Sequence, residues 1–178
     1  FHTLRVNARP APGDSPEAAA RRARYAALAA ELGPDAALLT AHHRDDQAET
    51  VLLNLLRGAG VAGAAGMLAE RPQSRGPTLV RPLLDVPRLA IERYAAEHGL
   101  SWIDDASNAD RRFRRNFLRH EILPRLETTF SGAGKSLARA AGHFAEAAGL
   151  LDDPAGLDRE AARDAAGRVF GEAPEIVR

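Results

Sequence analysis

Apolar and polar residues alternate along the chain with two different periods, which predict strands separated by helices. Residues 1–6 alternate at every second position, as a half-buried strand does. Residues 36–41 form an apolar run that is too short for a helix and is typical of a strand buried on both faces of a parallel sheet. Further short strands are predicted at residues 79–84 and 101–103. The sequence therefore predicts a sheet whose strands are far apart along the chain.

Helices are predicted between and after these strands from their end signals. Ser15 has the position of an N-cap before Pro16, and Gly33 ends the first helix near residue 32. The predicted helices cover residues 16–32, 44–57, 88–98, 112–128 and 135–151, and the fourth should bend or break near Pro124. Because strands alternate with helices, we expect an α/β fold: a Rossmann-like parallel sheet with helices on both faces, followed by C-terminal helices.

The domain division follows from the same pattern. Residues 1–128 are predicted to form the α/β domain and residues 129–152 a helical extension or linker. In residues 153–178 the pattern weakens, and this segment is left unassigned or taken as the start of a further domain.

The composition removes several classes of function. The 178 residues contain no cysteine, which excludes disulfides, thiolate nucleophiles and cysteine-bound zinc or iron–sulfur clusters within the chain. No apolar run approaches the ~20 residues of a membrane span, so we expect no membrane partner and a cytoplasmic protein. The 24 basic residues balance the 24 acidic ones, so net charge alone does not indicate a nucleic-acid partner. The chain begins at Phe1 without a signal-like segment, and we interpret it as a fragment.

The predicted helix over residues 44–57 carries three stripes at the helical spacing of about 100° per residue. The first contains His42, Asp46, Glu49 and Leu53; the second, expected to face the sheet, contains Ala48, Val51, Leu52 and Leu55; the third, expected to face solvent, contains His43, Gln47, Thr50 and Asn54. Asp45 and Asp46 would suit the positive end of the helix dipole without any further role. The first stripe, which we expect outside the core, would equally suit a site for a cation, either an ammonium group or Mg²⁺. Spacing alone leaves both interpretations open.

Two glycine-rich segments resemble phosphate loops but lack the required context. Residues 58–63 match G-x-G-x-x-G, yet they follow a predicted helix, whereas a dinucleotide-binding loop follows a strand. We expect a loop there, with Gly58 ending the helix. Residues 131–136 resemble the end of a Walker A loop, but Thr129 stands at the position of its first glycine. We expect a turn between two helices there, capped by Ser131 or Ser136.

A run of arginines between residues 111 and 125 is too basic for a simple salt-bridged surface, since only Asp110 and Glu121 lie near it in sequence. Guanidinium groups bind phosphate through paired hydrogen bonds. The run therefore indicates a contact with a polyphosphate or with an RNA backbone, and a solvated basic helix is the alternative.

Five segments occur in a characteristic order. They are AHHRDDQAET at residues 41–50, RGAGVAGAAGM at 57–67, RPLL at 81–84, WIDDASN at 102–108 and RNFLR at 115–119. Together they resemble the tRNA(Ile)-lysidine synthase family of N-type ATP pyrophosphatases, in the PP-loop superfamily, and the resemblance covers about residues 1–152. The family's Ser-Gly-Gly-x-Asp-Ser phosphate loop does not occur in the chain, so we expect the chain alone to be inactive. Ala59 and Ala64 are milder departures from the family's glycine loop.

This resemblance implies an enzyme that uses ATP to join L-lysine to the wobble cytidine of tRNA(Ile) with a CAU anticodon. The reaction passes through an adenylated cytosine and releases AMP and pyrophosphate. The resemblance also implies an adenine nucleotide alpha-hydrolase-like fold, with ATP and Mg²⁺ as cofactors, and leaves a homo-oligomer open.

Roles for particular residues come from the same resemblance. The implied catalytic residues are His42, Asp46, Glu49 and Arg115. The first three would line the pocket for lysine and metal-bound ATP, and Asp46 would also bind magnesium. The residues implied to bind ATP or substrate are Asp45, Gly58, Gly60 and Asn116. The residues implied to bind the tRNA backbone are Arg111, Arg112 and Arg119.

Two other functions stay open. One is a thiolase-like tRNA-modifying enzyme of the same superfamily, although such enzymes typically use cysteines and this chain has none. The other is a non-catalytic RNA-binding module, which the missing phosphate loop would permit.

Overall fold

The computed structural model of the chain describes residues 2–73, 76–103 and 105–152, and the predictions for residues 153–178 lie outside the described residues. The described residues divide into two compact units: residues up to 48 with 67–110, and residues 49–66 with those from 111 to 152. Each unit therefore combines segments that are far apart in sequence. The domain boundaries inferred from the sequence remain predictions.

The order of helices and strands is largely the predicted one. The elements are α1 (Pro16–Glu31), β1 (Ala37–Leu39), α2 (Arg44–Leu55), α3 (Val61–Ala64), β2 (Glu70–Arg71), β3 (Thr78–Val80), α4 (Arg88–Glu97), a 3₁₀ turn (Ala106–Ala109), α5 (Arg114–Phe117), a π-helical turn (Leu118–Ile122), α6 (Leu123–Thr129) and α7 (Ala133–Asp152). Within the described part of the chain, no helix is long and apolar enough to cross a membrane.

The sheet of the first unit has the strand order β1-β3-β2. β1 and β3 are parallel, with Leu38 opposite Leu79, and α2 lies between them in the chain, as the predicted strand–helix–strand crossover requires. β2 pairs antiparallel with β3 and, with two residues, is too short for an alternating pattern to reveal. β1 lies at the edge of the sheet and its Leu39 is 65% exposed, so the prediction of a strand buried on both faces is wrong. An edge strand is covered less completely than a central one.

Residues 2–6 and 101–103 form no strand, contrary to the prediction. Alternation indicates which side chains would share a face, but a strand also needs a neighbour to receive its backbone hydrogen bonds. Neither segment pairs with a strand in the described residues. Ile103, at the end of the second segment, is 96% exposed.

The ends of α1 and α4 confirm the predicted boundaries. Ser15 Oγ accepts a hydrogen bond from the Ala18 N–H at 3.4 Å, so Ser15 is the N-cap of α1. α4 follows Pro87 and ends just before Gly99, whose φ of +62° suits a residue without a side chain.

The glycine-rich segment after α2 is held to that helix. Gly58 has a φ of +76° and donates its N–H to the Leu55 carbonyl at 2.9 Å, which ends α2 as predicted. The Asn54 side chain donates to the Gly63 carbonyl at 2.8 Å, and α3 forms inside the predicted loop. The G-x-G-x-x-G pattern thus follows a helix here, which confirms that it is not a dinucleotide-binding loop.

The turn between α6 and α7 is capped by a residue that the sequence did not indicate. The Glu127 carboxylate accepts the N–H groups of Gly132 and Gly134 at 2.8 and 2.7 Å. These N–H groups lie at the start of α7, where the helix leaves backbone donors unpaired. The prediction of a cap by Ser131 or Ser136 is therefore wrong, because a side chain from the preceding helix takes that position.

The predicted helix over residues 112–128 is three consecutive segments: α5, the π-helical turn and α6. Pro124 stands in the first turn of α6. Proline has no N–H, and its ring crowds the carbonyl four residues earlier, which belongs to His120 inside the π-helical turn. The wider π geometry accommodates that carbonyl. The chain remains helical through Pro124, which lies where the π-helical turn gives way to α6, so the predicted bend or break there stays a prediction.

The packing of α2 corrects the prediction for its third stripe. Ala48 and Val51 are buried as predicted, but Leu55 on the same stripe is exposed. Gln47, predicted to face solvent, is buried: its amide donates to the Met67 carbonyl at 2.9 Å and accepts from the Met67 N–H at 2.8 Å. A polar side chain can be buried when backbone groups match its donors and acceptors in this way.

Candidate functional site

The N-terminus of α2 is closed by reciprocal hydrogen bonds between His43 and Asp46. The His43 N–H donates to Asp46 Oδ2 at 3.1 Å, and the Asp46 N–H donates to His43 Nδ1 at 3.4 Å. This is the arrangement of a capping box, in which the N-cap and the third helical residue satisfy each other's backbone donors. Asp46, predicted as a catalytic and metal-binding residue, therefore has a structural role at the helix end.

Asp45 joins two helix N-termini within the first unit. Its Oδ2 accepts the N–H of Arg88, the first residue of α4, at 2.9 Å, and the Arg44 N–H donates to the Val86 carbonyl at 2.9 Å. Carboxylates are favoured at helix N-termini by the helix dipole. The interpretation of Asp45 and Asp46 as N-terminal charges is thus supported by their hydrogen bonds.

His42 lies between β1 and α2, half-buried, with its Nδ1 2.9 Å from Thr40 Oγ1. In the described ranges, no group of three or more His, Asp or Glu side chains is arranged to hold a metal ion. Mg²⁺ often takes only one or two protein carboxylates and completes its coordination with phosphates and water. The described side chains therefore do not fit a magnesium ion held by protein groups alone.

The second unit contains a buried ion cluster around Glu49, which is only 1% exposed. Arg119 Nε donates to Glu49 Oε1 at 2.6 Å, and Arg119 Nη2 donates to Oε2 at 3.1 Å. Arg115 Nε donates to Oε2 at 2.8 Å, and its Nη2 donates to Thr50 Oγ1 at 3.1 Å. Both carboxylate oxygens thus accept hydrogen bonds from guanidinium groups. We call Glu49, Arg115 and Arg119 the arginine cluster.

The arginine cluster corrects the expectation that Glu49 lies outside the core. Helical spacing places Glu49 away from the apolar stripe of α2, but it does not say which distant residues cover the polar stripe. Arg115 and Arg119 follow Glu49 by 66 and 70 residues. Sequence reasoning found all three residues but assigned Arg119 to the tRNA backbone and Glu49 to a substrate pocket.

The other arginines of the run are more exposed. Glu121 forms an ion pair with Arg111 and a longer one, at 3.7 Å, with Arg125. The side chain of Arg111 is 66% exposed and that of Arg125 is 80% exposed. Arg112 is also exposed, whereas Asn116, next to Arg115, is half-buried. The remaining predicted site residues, Gly58 and Gly60, are exposed in the segment after α2. The run therefore divides into arginines held by a buried carboxylate and arginines near the surface.

Arg81 is a buried cation that residue patterns do not single out, although it begins the RPLL segment. Its Nη1 donates to the Leu68 carbonyl at 2.5 Å, and its Nε has no hydrogen-bond partner among the described residues. Burial lowers the pKa of the Arg81 guanidinium from its ordinary value, and repulsion from Arg21 and Arg71 lowers it further, against an opposing effect of Tyr25. Only the RPLL segment could have drawn attention to it.

The chain belongs to the PP-loop domain family, whose profile matches residues 3–126. Membership of this family confirms the predicted Rossmann-like α/β class.

The individual proteins to which the chain is similar share one name, which is narrower than the domain family. The chain is 56% identical over 147 residues to the tRNA(Ile)-lysidine synthase of Pseudomonas fluorescens, covering 83% of this chain and 33% of that protein. It is 56% identical over 149 residues to the protein of the same name from Methylococcus capsulatus, covering 84% and 34%. The corresponding protein of Coxiella burnetii is 48% identical over 158 residues, covering 89% and 35%. The chain thus spans about a third of the length of the curated relatives it matches.

Replacing Glu49 with Ala should lower the free energy of unfolding of residues 1–178 by about 3–5 kcal/mol, because it removes the buried carboxylate that pairs with two part-buried guanidinium groups. Urea denaturation followed by circular dichroism measures the loss. Glu121→Ala is the matched control, since Glu121 also pairs with two arginines, both of them exposed. Its loss should stay within about 1 kcal/mol. Equal losses in the two variants would contradict the role of Glu49 as the buried centre of the arginine cluster.

Proposed function

We propose that the chain forms the nucleotide-handling part of an enzyme that joins L-lysine to the wobble cytidine of tRNA(Ile). The similarity to tRNA(Ile)-lysidine synthases over more than four-fifths of the chain carries this proposal. The PP-loop domain supports ATP as the energy source. A tRNA substrate would place the reaction in the cytoplasm.

The chemistry needs two steps, because an amine cannot directly displace the oxygen on carbon 2 of cytosine. In the first step that oxygen attacks the α-phosphorus of ATP, the bond to pyrophosphate breaks, and the oxygen becomes part of an AMP leaving group. In the second step the ε-amine of lysine attacks carbon 2, AMP departs with the oxygen, and the amine loses a proton. Negative charge grows on the departing pyrophosphate in the first step, so positioned cations accelerate it.

The cations of the second unit suit the first step. We assign Arg115 to the nucleotide phosphates or the adenylated base, because its guanidinium is fixed by Glu49 and Thr50 while 28% of the side chain remains exposed. Asn116, the next residue, would hold this part of the chain in place. Magnesium would add positive charge to the bound nucleotide, and we assign Asp46 of the first unit as its protein ligand.

The segment between β1 and α2 suits the binding of lysine and ATP. Ligands of parallel sheets commonly lie at the carboxyl ends of the strands, which is where His42 and Asp46 follow β1. We assign these two residues to the binding of lysine and metal-bound ATP, and Asp45 to the binding of ATP. Gly58 and Gly60, which lie in the second unit, are assigned to ATP binding separately. Glu49, expected in the same pocket, has both oxygens engaged by arginines and is not assigned to it.

The activity test needs a phosphate loop, because no Ser-Gly-Gly-x-Asp-Ser sequence occurs in residues 1–178. We define the loop-restored protein as this chain preceded by a segment that carries a strand and that loop. With ATP, lysine and a tRNA(Ile) bearing a CAU anticodon, it should form lysidine, detected by mass spectrometry of the digested tRNA. Binding of tRNA without any ATP-dependent product would contradict the proposal and favour a non-catalytic RNA-binding module.

Arg111 and Arg112 should behave differently from Arg115 in the loop-restored protein. Alanine at either exposed position should weaken tRNA binding and flatten the slope of log affinity against log salt by roughly 0.7–0.9, as expected for one phosphate contact, and should spare adenylation of bound tRNA. Arg115→Ala should nearly abolish adenylation and leave the slope almost unchanged. The measurements are tRNA affinity across a salt series and single-turnover adenylation. Near-normal turnover of Arg115→Ala with a flattened slope would mean that the whole run binds RNA.

A further inference from the structure

Arg81 is a buried cation to which the described residues supply no negative charge. We propose that Arg81, with Arg21 and Arg71 beside it, is a binding site for the phosphate chain of a nucleotide in the first unit. The identity of the nucleotide as ATP rests on the proposed function, which this inference deepens. The site itself rests on the packing and charge of Arg81, which no step of the proposed reaction uses.

The hydrogen bonds of Arg81 leave most of its donors unused. The residue is 5% exposed, and Nη1 is its one donor with a partner in the described residues, the Leu68 carbonyl at 2.5 Å. Nε is enclosed by protein atoms and has no partner there. A guanidinium carries five N–H donors, and a buried donor without an acceptor is costly. Because such donors are rare in folded proteins, the unpaired Nε favours a ligand that supplies the acceptor.

No carboxylate balances the charge of Arg81 in the described part of the chain. The groups that act on this charge are Tyr25, Arg21 and Arg71. The phenol of tyrosine is neutral at physiological pH, and the two arginines repel a third. A buried charge without a counter-charge is unfavourable, so the surroundings of Arg81 favour an anionic ligand.

The sheet places Arg71 on the same face as Arg81. β2 and β3 are antiparallel with Arg71 opposite Leu79, and the Arg81 N–H continues the pairing by donating to the Ala69 carbonyl at 2.8 Å. Because side chains alternate between the two faces of a sheet, Arg71, Leu79 and Arg81 share one face. Glu70, which precedes Arg71 in β2, belongs to the other face. The sheet therefore brings a second cation to Arg81 and directs the neighbouring carboxylate away.

α1 supplies the third cation of the site. Arg21 lies over the ring of Tyr25, with its Cζ 5.2 Å from the ring centre, and both residues act on the charge of Arg81. A cation–π contact holds Arg21 in place without neutralising it. Arg21 and Arg71 are exposed, whereas Arg81 is buried. The site thus combines one buried guanidinium with two near the surface.

Arg81 lies at the edge of the sheet where ligands of parallel strands commonly bind. It directly follows β3, and Thr40 directly follows β1, which is parallel to β3. The Thr40 N–H donates to the Val80 carbonyl at 2.9 Å, so the carboxyl ends of the two strands lie side by side. His42, which we assign to lysine and metal-bound ATP, has its Nδ1 2.9 Å from the Thr40 hydroxyl. Arg81 and His42 thus belong to the same carboxyl edge of the first unit.

The chemistry of the site favours a phosphate chain over the other anions of the proposed reaction. Three guanidinium groups suit a ligand with several negative charges, and the carboxylate of lysine carries only one. A phosphate within an RNA backbone also carries one charge and has a ribose on each side. A terminal phosphate carries about two negative charges near neutral pH and has three free oxygens, so it can approach a nearly buried guanidinium.

Binding of tripolyphosphate, which is the triphosphate part of ATP alone, tests the site in residues 1–178. Isothermal titration calorimetry at constant ionic strength measures its affinity, with ATP and an oligouridylate without terminal phosphates titrated in parallel. Arg81→Met keeps an unbranched side chain and removes its charge and donors. It should weaken tripolyphosphate and ATP about 10–100-fold, as expected for lost charge-assisted hydrogen bonds, and leave the RNA affinity unchanged. Arg93→Met, at an exposed position of α4, is the matched control and should change none of the three affinities.

A purely structural role of Arg81 predicts a different result. Tripolyphosphate should raise the urea midpoint of the unaltered chain, because a ligand of the native state stabilises it, and should raise that of Arg81→Met much less. An equal rise in the two chains, or no binding by the unaltered chain, would overturn the inference. A loss of affinity confined to the RNA would also overturn it, since the phosphate would then belong to a polynucleotide backbone.

Arg71→Met tests the same site if Arg81→Met does not fold. Arg71 is exposed, so its replacement should leave the circular dichroism spectrum unchanged. It should weaken tripolyphosphate about 2–5-fold, the contribution expected of an exposed ion pair. An affinity equal to that of the unaltered chain would overturn the inference.

Lysidine formation by the loop-restored protein tests the proposed function separately from the site. Lysidine formation combined with tripolyphosphate binding that does not depend on Arg81 would refute the site alone. Binding that depends on Arg81, combined with no lysidine, would support the site and refute the proposed function.

Discussion

A carboxylate removed from water must be paired, and at Glu49 two arginines meet this requirement. The interaction joins α2 to α5 and the π-helical turn inside the second unit, across 66 and 70 residues of sequence. The Glu49 carboxylate becomes unsuited to a loosely bound ligand, while the Arg115 and Arg119 side chains are held in place by it. Stability and the proposed phosphate binding therefore depend on the same contacts.

The N-terminus of α2 is governed by the backbone N–H groups of its first turn, which have no partner within the helix. Asp46 and His43 satisfy each other's backbone donors, and Asp45 supplies an acceptor to the first residue of α4. Two residues proposed to handle ATP or lysine are therefore also needed to end helices correctly. A loss of activity on replacing Asp45 or Asp46 has to be compared with a measured change in stability before it is attributed to binding.

The sequence predicts the features of this fold that local rules control. The structure confirms the helix ends marked by Ser15, Pro87, Gly58 and Gly99, and Pro124 lies in the first turn of α6. Strands were predicted less accurately, because a strand depends on a distant partner. Residues 2–6 have the alternation of a strand and residues 101–103 were also predicted as one, but neither segment has a neighbouring strand among the described residues.

The candidate site likewise depends on contacts that local sequence patterns do not show. Periodicity brought Asp46 and Glu49 to one stripe of α2, and charge density marked the arginine run. Neither pattern could show that Glu49 is buried, that Arg119 shares it with Arg115, or that Gln47 binds the backbone of Met67. These are contacts between segments far apart in the chain, and only the folded structure provides them.

The most direct measurement of the central claim is a double-mutant cycle between Glu49 and Arg119 in residues 1–178. Urea unfolding of Glu49→Ala, Arg119→Ala and the double variant gives the interaction free energy between the two side chains. If Glu49 holds Arg119, the double variant should lose less stability than the sum of the single variants, by about 1–3 kcal/mol. Losses that add to within about 0.5 kcal/mol would contradict the account, because they would mean that the two residues act independently.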